Sequence, residues 1–248
     1  MLNAVLSGKA GRLKLADTEA EISWRDMLRQ NEDIVTASLF ERLSYLSAPC
    51  AWDILRRTFR LGLAPYQVAT LDKIEFWPRW EDATEGHDKV EPDVFLRWSV
   101  GDPSRRIDLI VEAKDGGVQY SDQWNRQQLA YVQWSKDEDK LCDEVFFLAL
   151  GGVGQSGTVT STRLMQEIHE KHGDSIEMTC LAASWSELAT ALAKTPTRET
   201  HEEVILRDMI KALSAFGYRH FELSKGMLAQ EPLRNASDSM RVLSGFKR

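Results

Sequence analysis

Glu112 and Lys114 stand two residues apart near the end of a mostly apolar run, Ile107, Asp108, Leu109, Ile110, Val111, Glu112, Ala113, Lys114. Side chains on a strand repeat every two residues, so Glu112 and Lys114 project side by side while Ile107, Leu109, Val111 and Ala113 take the other face. A carboxylate and an ammonium at the end of a greasy strand need partners, because burying an unpaired charge is costly. Asp93, in the sole Pro-Asp pair of the chain, leads the preceding run 94–100, and Gly101, Asp102, Pro103 and Ser104 between the runs are strong turn residues. The expected unit is a hairpin with Asp93 on one arm and Glu112 and Lys114 on the other. These oxygen donors suit Mg2+, which takes one or two carboxylates, keeps several waters and completes its shell on a phosphate; Mn2+ would substitute. Such an ion polarises a phosphodiester and lowers the pKa of a bound water, while a neighbouring lysine orients or deprotonates that water and offsets transition-state charge.

An acidic-x-lysine triplet alone carries little weight, since this composition yields roughly two by chance. Glu138, Asp139 and Lys140 form a second copy, in a charged stretch without an upstream Pro-Asp. Context separates the first copy, and part of that context precedes the hairpin. A helical period over 24–46 places Leu28, Val35, Leu39, Leu43 and Leu46 on one stripe. At about 100 degrees per residue, Glu32 lies within roughly 60 degrees of each of them. A carboxylate there is paired, protonated or bound to a cation. Alternatively, Gln30, Asn31, Glu32 and Asp33 mark a helix start.

The remaining elements follow the chain. A helix is expected over 51–62, with Arg56, Arg57 and Arg60 as a small basic face that is either solvated or a set of phosphate contacts. A strand over 68–80 and a charged loop over 81–89 lead into the hairpin. Beyond Lys114 come a helix over 121–136, a strand over 144–150, a glycine-rich turn, a helix over 161–172, a strand over 176–182, and helices over 185–194 and 199–216. This order predicts an α/β protein with a mixed sheet flanked by helices. The expected organisation is a lead-in over 1–23, a core over 24–183 and a C-terminal helical extension and tail over 184–248.

Pro92-Asp93, eighteen residues, then Glu112-Ala113-Lys114 resembles the signature of the PD-(D/E)XK nuclease superfamily. Glu32 on the preceding helix, and Gln128 with Tyr131 on the following one, resemble the RecB-like and Cas4-like branches, although the iron-sulfur cysteines of the latter are absent. The resemblance covers about residues 24–150 and implies a restriction-endonuclease-like αβββαβ core with additional C-terminal helices. It further implies that Asp93 and Glu112 bind Mg2+ together with the Ala113 carbonyl, that Glu32 adds a carboxylate, that Lys114 serves the water and that Gln128 places the lysine or the substrate. The implied activity is metal-dependent hydrolysis of nucleic acid, DNA before RNA, with Tyr131, Arg56, Arg57 and Arg60 as weaker nucleic-acid contacts. Stand-alone nucleases of this size resemble parts of bacterial restriction and phage-defence systems, so a partner-dependent subunit of a defence complex is the alternative.

A net charge of −7 over 248 residues disfavours a general polyanion-coating protein but allows a local basic groove. No apolar run approaches a membrane span and no signal peptide is evident, so a cytoplasmic protein without membrane association is expected. A protein partner or a homo-oligomer remains open. Cys50, Cys142 and Cys180 are far apart and odd in number, which fits small buried hydrophobes better than a disulfide framework. His169 and His172 share a helix with no third ligand indicated. Gly152 to Gly157 spells G-x-G-x-x-G and offers a rival dinucleotide-binding reading. Against it, no acidic residue ends the next strand, and the motif is expected to follow an antiparallel region instead of opening a βαβ unit.

Overall fold

The computed structural model describes residues 4–5, 7–14, 21–24, 26, 31–60, 62–81, 89–137, 142–154, 156–173, 178–197 and 199–218. Leu28, most of the 81–89 loop, the Glu138-Asp139-Lys140 triplet, Glu177 and the tail beyond 218 lie outside the described residues.

The lead-in holds a small antiparallel ribbon, β1 (Arg12–Lys14) with β2 (Glu21–Ser23). Helix α1 (Glu32–Leu43) begins where Asn31 accepts a hydrogen bond from the Ile34 N–H, at 3.3 Å, and Glu32 and Asp33 fill its acidic first turn. The helix expected over 24–46 is therefore described only from Glu32, and the helix-start reading of Asn31 to Asp33 holds. An Asn cap and two carboxylates stabilise the positive end of the helix dipole, which is why the helix starts here. The apolar stripe is real from Val35 onward, with Val35, Leu39 and Leu43 buried.

Helix α2 (Ala48–Thr58) carries Pro49 in its first turn, where the missing N–H has no helical partner to lose. There follow β3 (Ala69–Phe76), the short pair β4 (Trp80–Glu81) and β5 (Lys89–Val90), and the hairpin strands β6 (Val94–Val100) and β7 (Arg105–Lys114). Helix α3 (Ser121–Asp137), β8 (Glu144–Gly151), α4 (Gly157–His172), β9 (Thr179–Ala183), α5 (Trp185–Lys194) and α6 (Thr200–Ala215) complete the chain.

Five strands form one mixed sheet in the order β3-β6-β7-β8-β9, antiparallel from β3 to β7 and parallel from β7 to β9. The hairpin register pairs Val94 with Val111 and Val100 with Arg105. Alternation then assigns the faces. Val94, Leu96, Trp98, Leu109, Val111 and Ala113 join one core with residues of α1, α2, α5 and α6. Phe95, Ile110, Phe147 and Ala149 join a second with Trp124, Tyr131, Leu164 and Ile168 of α3 and α4. Strands covered on both faces read as near-continuous apolar runs, as β6, β7 and β8 do. Helices α5 and α6 supply Leu188, Leu192, Leu206, Met209 and Leu213 to the first core, so this C-terminal region is packed into the body of the fold. A mixed α/β architecture with six helices among the described residues is the outcome.

Candidate functional site

Glu112 is the centre of a polar cluster at the C-terminal end of β7. Its side chain is almost fully buried, yet both carboxylate oxygens are occupied. Oε1 accepts from Lys114 Nζ at 2.5 Å and from Gln123 Nε2 at 2.6 Å; Oε2 accepts from Gln127 Nε2 at 2.6 Å. Gln123 and Gln127 are one helical turn apart on α3, which covers the face of the sheet from which Glu112 projects. Lys114 also reaches Glu32 Oε1 at 3.3 Å, and Glu32 Oε2 accepts the Asp115 N–H at 2.7 Å. Glu32 arrives from the first turn of α1, beyond the point where the apolar stripe begins, and not from its middle. Its two oxygens hold Lys114 and the backbone after it.

Asp93 precedes β6 beside this cluster. Its N–H donates to the Val111 carbonyl, its own carbonyl accepts from the Trp77 N–H, both at 3.1 Å, and its Oδ2 accepts the Ala113 N–H at 2.6 Å. Burial, reinforced by the charge of Glu112, pushes the Asp93 carboxyl up to about 7. Burial likewise raises Glu112, against the pull of Lys114. For Lys114, burial opposes the charge, but the Glu112, Glu32 and Asp93 carboxylates together outweigh it, and the ammonium is held above its usual range. Two buried carboxylates that resist joint ionisation and one retained ammonium make a site whose charge balance favours a cation.

Among the described residues no group of three or more His, Cys, Asp and Glu side chains converges as a metal-binding set. Asp93 and Glu112 nevertheless fit a magnesium-type ion as a two-carboxylate site, which is all such an ion demands of protein. Gln127 Oε1 supports the fit: it is buried and has no hydrogen-bond partner, an oxygen acceptor left for a water or cation beside Glu112. Glu32 reaches the same cluster, with its two oxygens on Lys114 Nζ and the Asp115 N–H.

Gln128 is not brought to the site; its Nε2 faces Cys180 Sγ at 3.4 Å. Gln127 takes the expected place. Trp124 and Tyr131 fix the buried face of α3, and both 127 and 128 fall between them at helical spacing, so the pattern alone does not separate the two. Gln123 and Gln119 were missed. Gln119 Nε2 bridges the carbonyls of Glu112, at 3.3 Å, and Gly151, at 3.1 Å, while its Oε1 accepts from Trp124 Nε1 at 2.9 Å. Trp185 and Tyr218, from the ends of α5 and α6, were also missed. Trp185 Nε1 donates to the Lys114 carbonyl at 2.9 Å, the Tyr218 hydroxyl donates to Asp115, and the two rings lie 5.8 Å apart. A β-carbon on Gly151 would collide with Lys114 O and Trp185, so close strand packing sets this residue as glycine. These contacts join residues distant in sequence, and only spacing visible after folding could reveal them.

Tyr131 is buried and serves the interior, not a nucleic-acid face. Its hydroxyl donates to Asp108 Oδ2 at 2.8 Å and lies 3.1 Å from Cys142 Sγ. Asp108 is held bidentately by Arg97, at 2.8 and 2.6 Å. Burial, then the Asp108 charge, drives the Tyr131 hydroxyl well above its usual range. Arg56 and Arg57 pair with Asp53 at 2.9 and 2.5 Å, and Arg60 with Glu187 at 2.7 Å, so the expected basic face is largely neutralised locally. His172 Nε2 lies 3.8 Å from Asp122 on the surface. The cysteines are free thiols, and burial raises Cys180 to about 12.

The glycine-rich turn corrects one expectation: β8, α4 and β9 form a parallel βαβ unit with Gly152 to Gly157 at its first turn. Gly157 packs directly on the Ala182 carbonyl, where no β-carbon fits. Its glycine thus has a packing reason without a bound dinucleotide.

Fold and cluster together define a mixed α/β protein with a buried carboxylate–lysine–amide site at the C-terminal end of the central strand of its sheet. No family model matches the chain. An uncharacterised protein of Pasteurella multocida is 27% identical over 227 residues, spanning 89% of this chain and 81% of the relative. Among the described residues no helix is long and apolar enough to cross a membrane.

Proposed function

We propose that this protein is a metal-dependent nuclease of the PD-(D/E)XK type, hydrolysing phosphodiester bonds of nucleic acid, with DNA as the first candidate. The observation that carries the reading is the meeting of Asp93, Glu112 and Lys114 at one strand end, with two glutamine amides fixing Glu112. The succession α1, β3, β6, β7, α3, β8 supports a restriction-endonuclease-like core. Asp93 and Glu112 would hold Mg2+, or Mn2+ in its place, and the ion supplies Lewis-acid polarisation of the phosphate and an acidified water. Lys114 stands beside them with a charged ammonium, able to orient the attacking water and offset charge as the phosphorus gains an oxygen. Glu32 keeps that ammonium in place. Gln123 and Gln127 hold the Glu112 carboxylate in one orientation, as partners of ligating carboxylates do.

The wild-type chain should cut at least one of supercoiled, linear or single-stranded DNA, or RNA, with Mg2+ or Mn2+ and not with EDTA. Lys114→Ala and Asp93→Ala should each lower the rate by at least about a hundredfold while remaining folded. Undiminished cutting by both variants would sink the proposal. A second reading, a nuclease-fold subunit of a restriction or anti-phage complex that stays silent without a partner, is favoured by the local neutralisation of Arg56, Arg57 and Arg60 and by the net charge of −7. Cleavage that appears only on adding a cognate protein would select it.

A further inference from the structure

The arginines that follow Asp53 belong to a wider basic surface. Asp53, Arg56 and Arg57 share one stripe of α2 at i, i+3 and i+4, and Arg60 follows just past its end. On α5, Glu187, Thr190 and Lys194 share a stripe at i, i+3 and i+7. The two helices pack together, and beside their contact lies a cavity of about 400 Å3 whose walls include Arg56, Arg57, Arg60, Glu187, Thr190 and Lys194. A second cavity, of about 200 Å3, starts at the same Arg60 and Glu187 and reaches Gly154 and Ser156 beyond β8 and Ser184 beyond β9. Together they make a groove that begins at the carboxyl ends of the parallel strands, where α/β sheets place their ligands. That end of the groove adjoins Lys114. Trp185, next to Ser184, donates to the Lys114 carbonyl at 2.9 Å, and a β-carbon on Gly152, two residues before Gly154, would stand 2.9 Å from that of Lys114. From Trp185 to Lys194 is about 13 Å of helix, the rise of about four nucleotides in one strand of a duplex.

We infer that this groove takes the phosphate backbone of the nucleic acid whose scissile bond lies at the Asp93–Glu112–Lys114 cluster; the ligand class rests on the nuclease reading. Charge selects a polyanion. Four cations, Arg56, Arg57, Arg60 and Lys194, meet two carboxylates, Asp53 and Glu187, which leaves an excess of positive charge within a chain of net charge −7. Asp53 is shared by two guanidiniums, and Lys194 meets no carboxylate among the described residues. The remaining pair joins an Arg60 side chain that is 75% exposed to Glu187, and an ion pair so open to water holds its cation weakly enough for a phosphate to recruit it. Among the described residues that wall the larger cavity, Ala191 is the sole apolar one and none is aromatic, so the walls offer donors to phosphate oxygens and no face to a base. A free nucleotide would leave its base unheld there, whereas a backbone is gripped through phosphates alone, without regard to sequence.

The test is fluorescence anisotropy of a short labelled duplex and of a labelled oligothymidylate in EDTA, using the full-length Lys114→Ala chain so that cutting plays no part. At least one probe should bind, and less tightly as salt rises. Adding Arg60→Gln and Lys194→Gln, both at exposed side chains, should weaken that binding by about tenfold or more at about 0.1 M salt and lower the slope of log Kd against log salt by about two. Lys171→Gln with Lys211→Gln removes the same charge from outside the groove and should change the affinity by less than about twofold. Binding of neither probe, or a loss in the Arg60 and Lys194 variant no greater than in the Lys171 and Lys211 control, would overturn the inference. So would full displacement of the probe by ATP at a concentration that leaves the ionic strength unchanged, which would give the groove to a free nucleotide. Metal-dependent cleavage by the wild-type chain, with binding untouched by Arg60→Gln and Lys194→Gln, would remove the groove and leave the nuclease reading. Salt-dependent binding that is lost with those two cations, without cleavage under any metal, would do the reverse.

Discussion

Replacing Asp93 by Asn keeps an acceptor for the Ala113 N–H and removes one buried charge. The Asp93 carboxyl titrates at about 7 against an ordinary 3.8, chiefly because it is buried and then because Glu112 faces it. A folded-state pKa above the unfolded one means that folding takes up a proton between the two values. The associated stability is therefore full below about pH 4 and is lost as pH rises through about 7. Glu112 is raised as well and acts in the same direction. Ionising Asp93 at pH 8 thus costs the metal-free protein on the order of 3–4 kcal/mol. The attraction of Lys114 is already contained in that value, and a buried Asn amide that meets no acceptor costs about 1–2 kcal/mol, so Asp93→Asn should stabilise the chain by about 2 kcal/mol in EDTA at pH 8. For a protein of this length that is a rise of roughly 4–8 °C in Tm. Thermal melts at pH 5 and pH 8, with EDTA and with Mg2+, read it directly. Wild type should gain stability from Mg2+ at pH 8 and the variant should not, and the gap between the two in EDTA should narrow at pH 5. An Asp93→Asn chain no more stable than wild type at pH 8 in EDTA would refute the placement of two buried carboxylates together at this strand end.

Gln127→Leu and Gln128→Leu form a paired comparison on α3. The first should reduce cleavage by about tenfold or more, through loss of a hydrogen bond to the charged Glu112, and the second should leave the rate within about twofold; kcat measured for both decides it, and equal effects would refute the assignment to Gln127. Arg97→Met leaves Asp108 buried without its bidentate partner and should cost about 3–5 kcal/mol in urea unfolding. Tyr131→Phe removes one hydrogen bond to the same carboxylate and should cost about 1–3 kcal/mol with cleavage retained, because Tyr131 lies in the interior network.

The sequence by itself determined the hairpin and the flanking elements. Alternating apolar residues on both arms and a Gly-Asp-Pro-Ser turn are local signals, and local sterics and hydrogen bonding act on them without knowledge of the fold. Asp93, Glu112 and Lys114 were legible for the same reason, since strand periodicity fixes which neighbours share a face. Tertiary structure decided the rest. Glu32 was singled out as a misplaced carboxylate in a stripe, but its position on the first turn of α1 lets it pass the core and reach Lys114, eighty-two residues away. The choice between Gln127 and Gln128 is a rotation of about 100 degrees on one helix, and only the docking of α3 on the sheet fixes that angle. Tyr131 and the arginines were polar groups whose partners, Asp108, Asp53 and Glu187, were unknown until packing supplied them. Trp185 and Tyr218 carried no local sign of their role. They touch the Lys114–Asp115 backbone because α5 and α6 fold back over the strand ends, a contact that exists only once the sheet has formed. What periodicity can encode was readable one element at a time. What depends on two elements meeting was settled by the burial that brings them together.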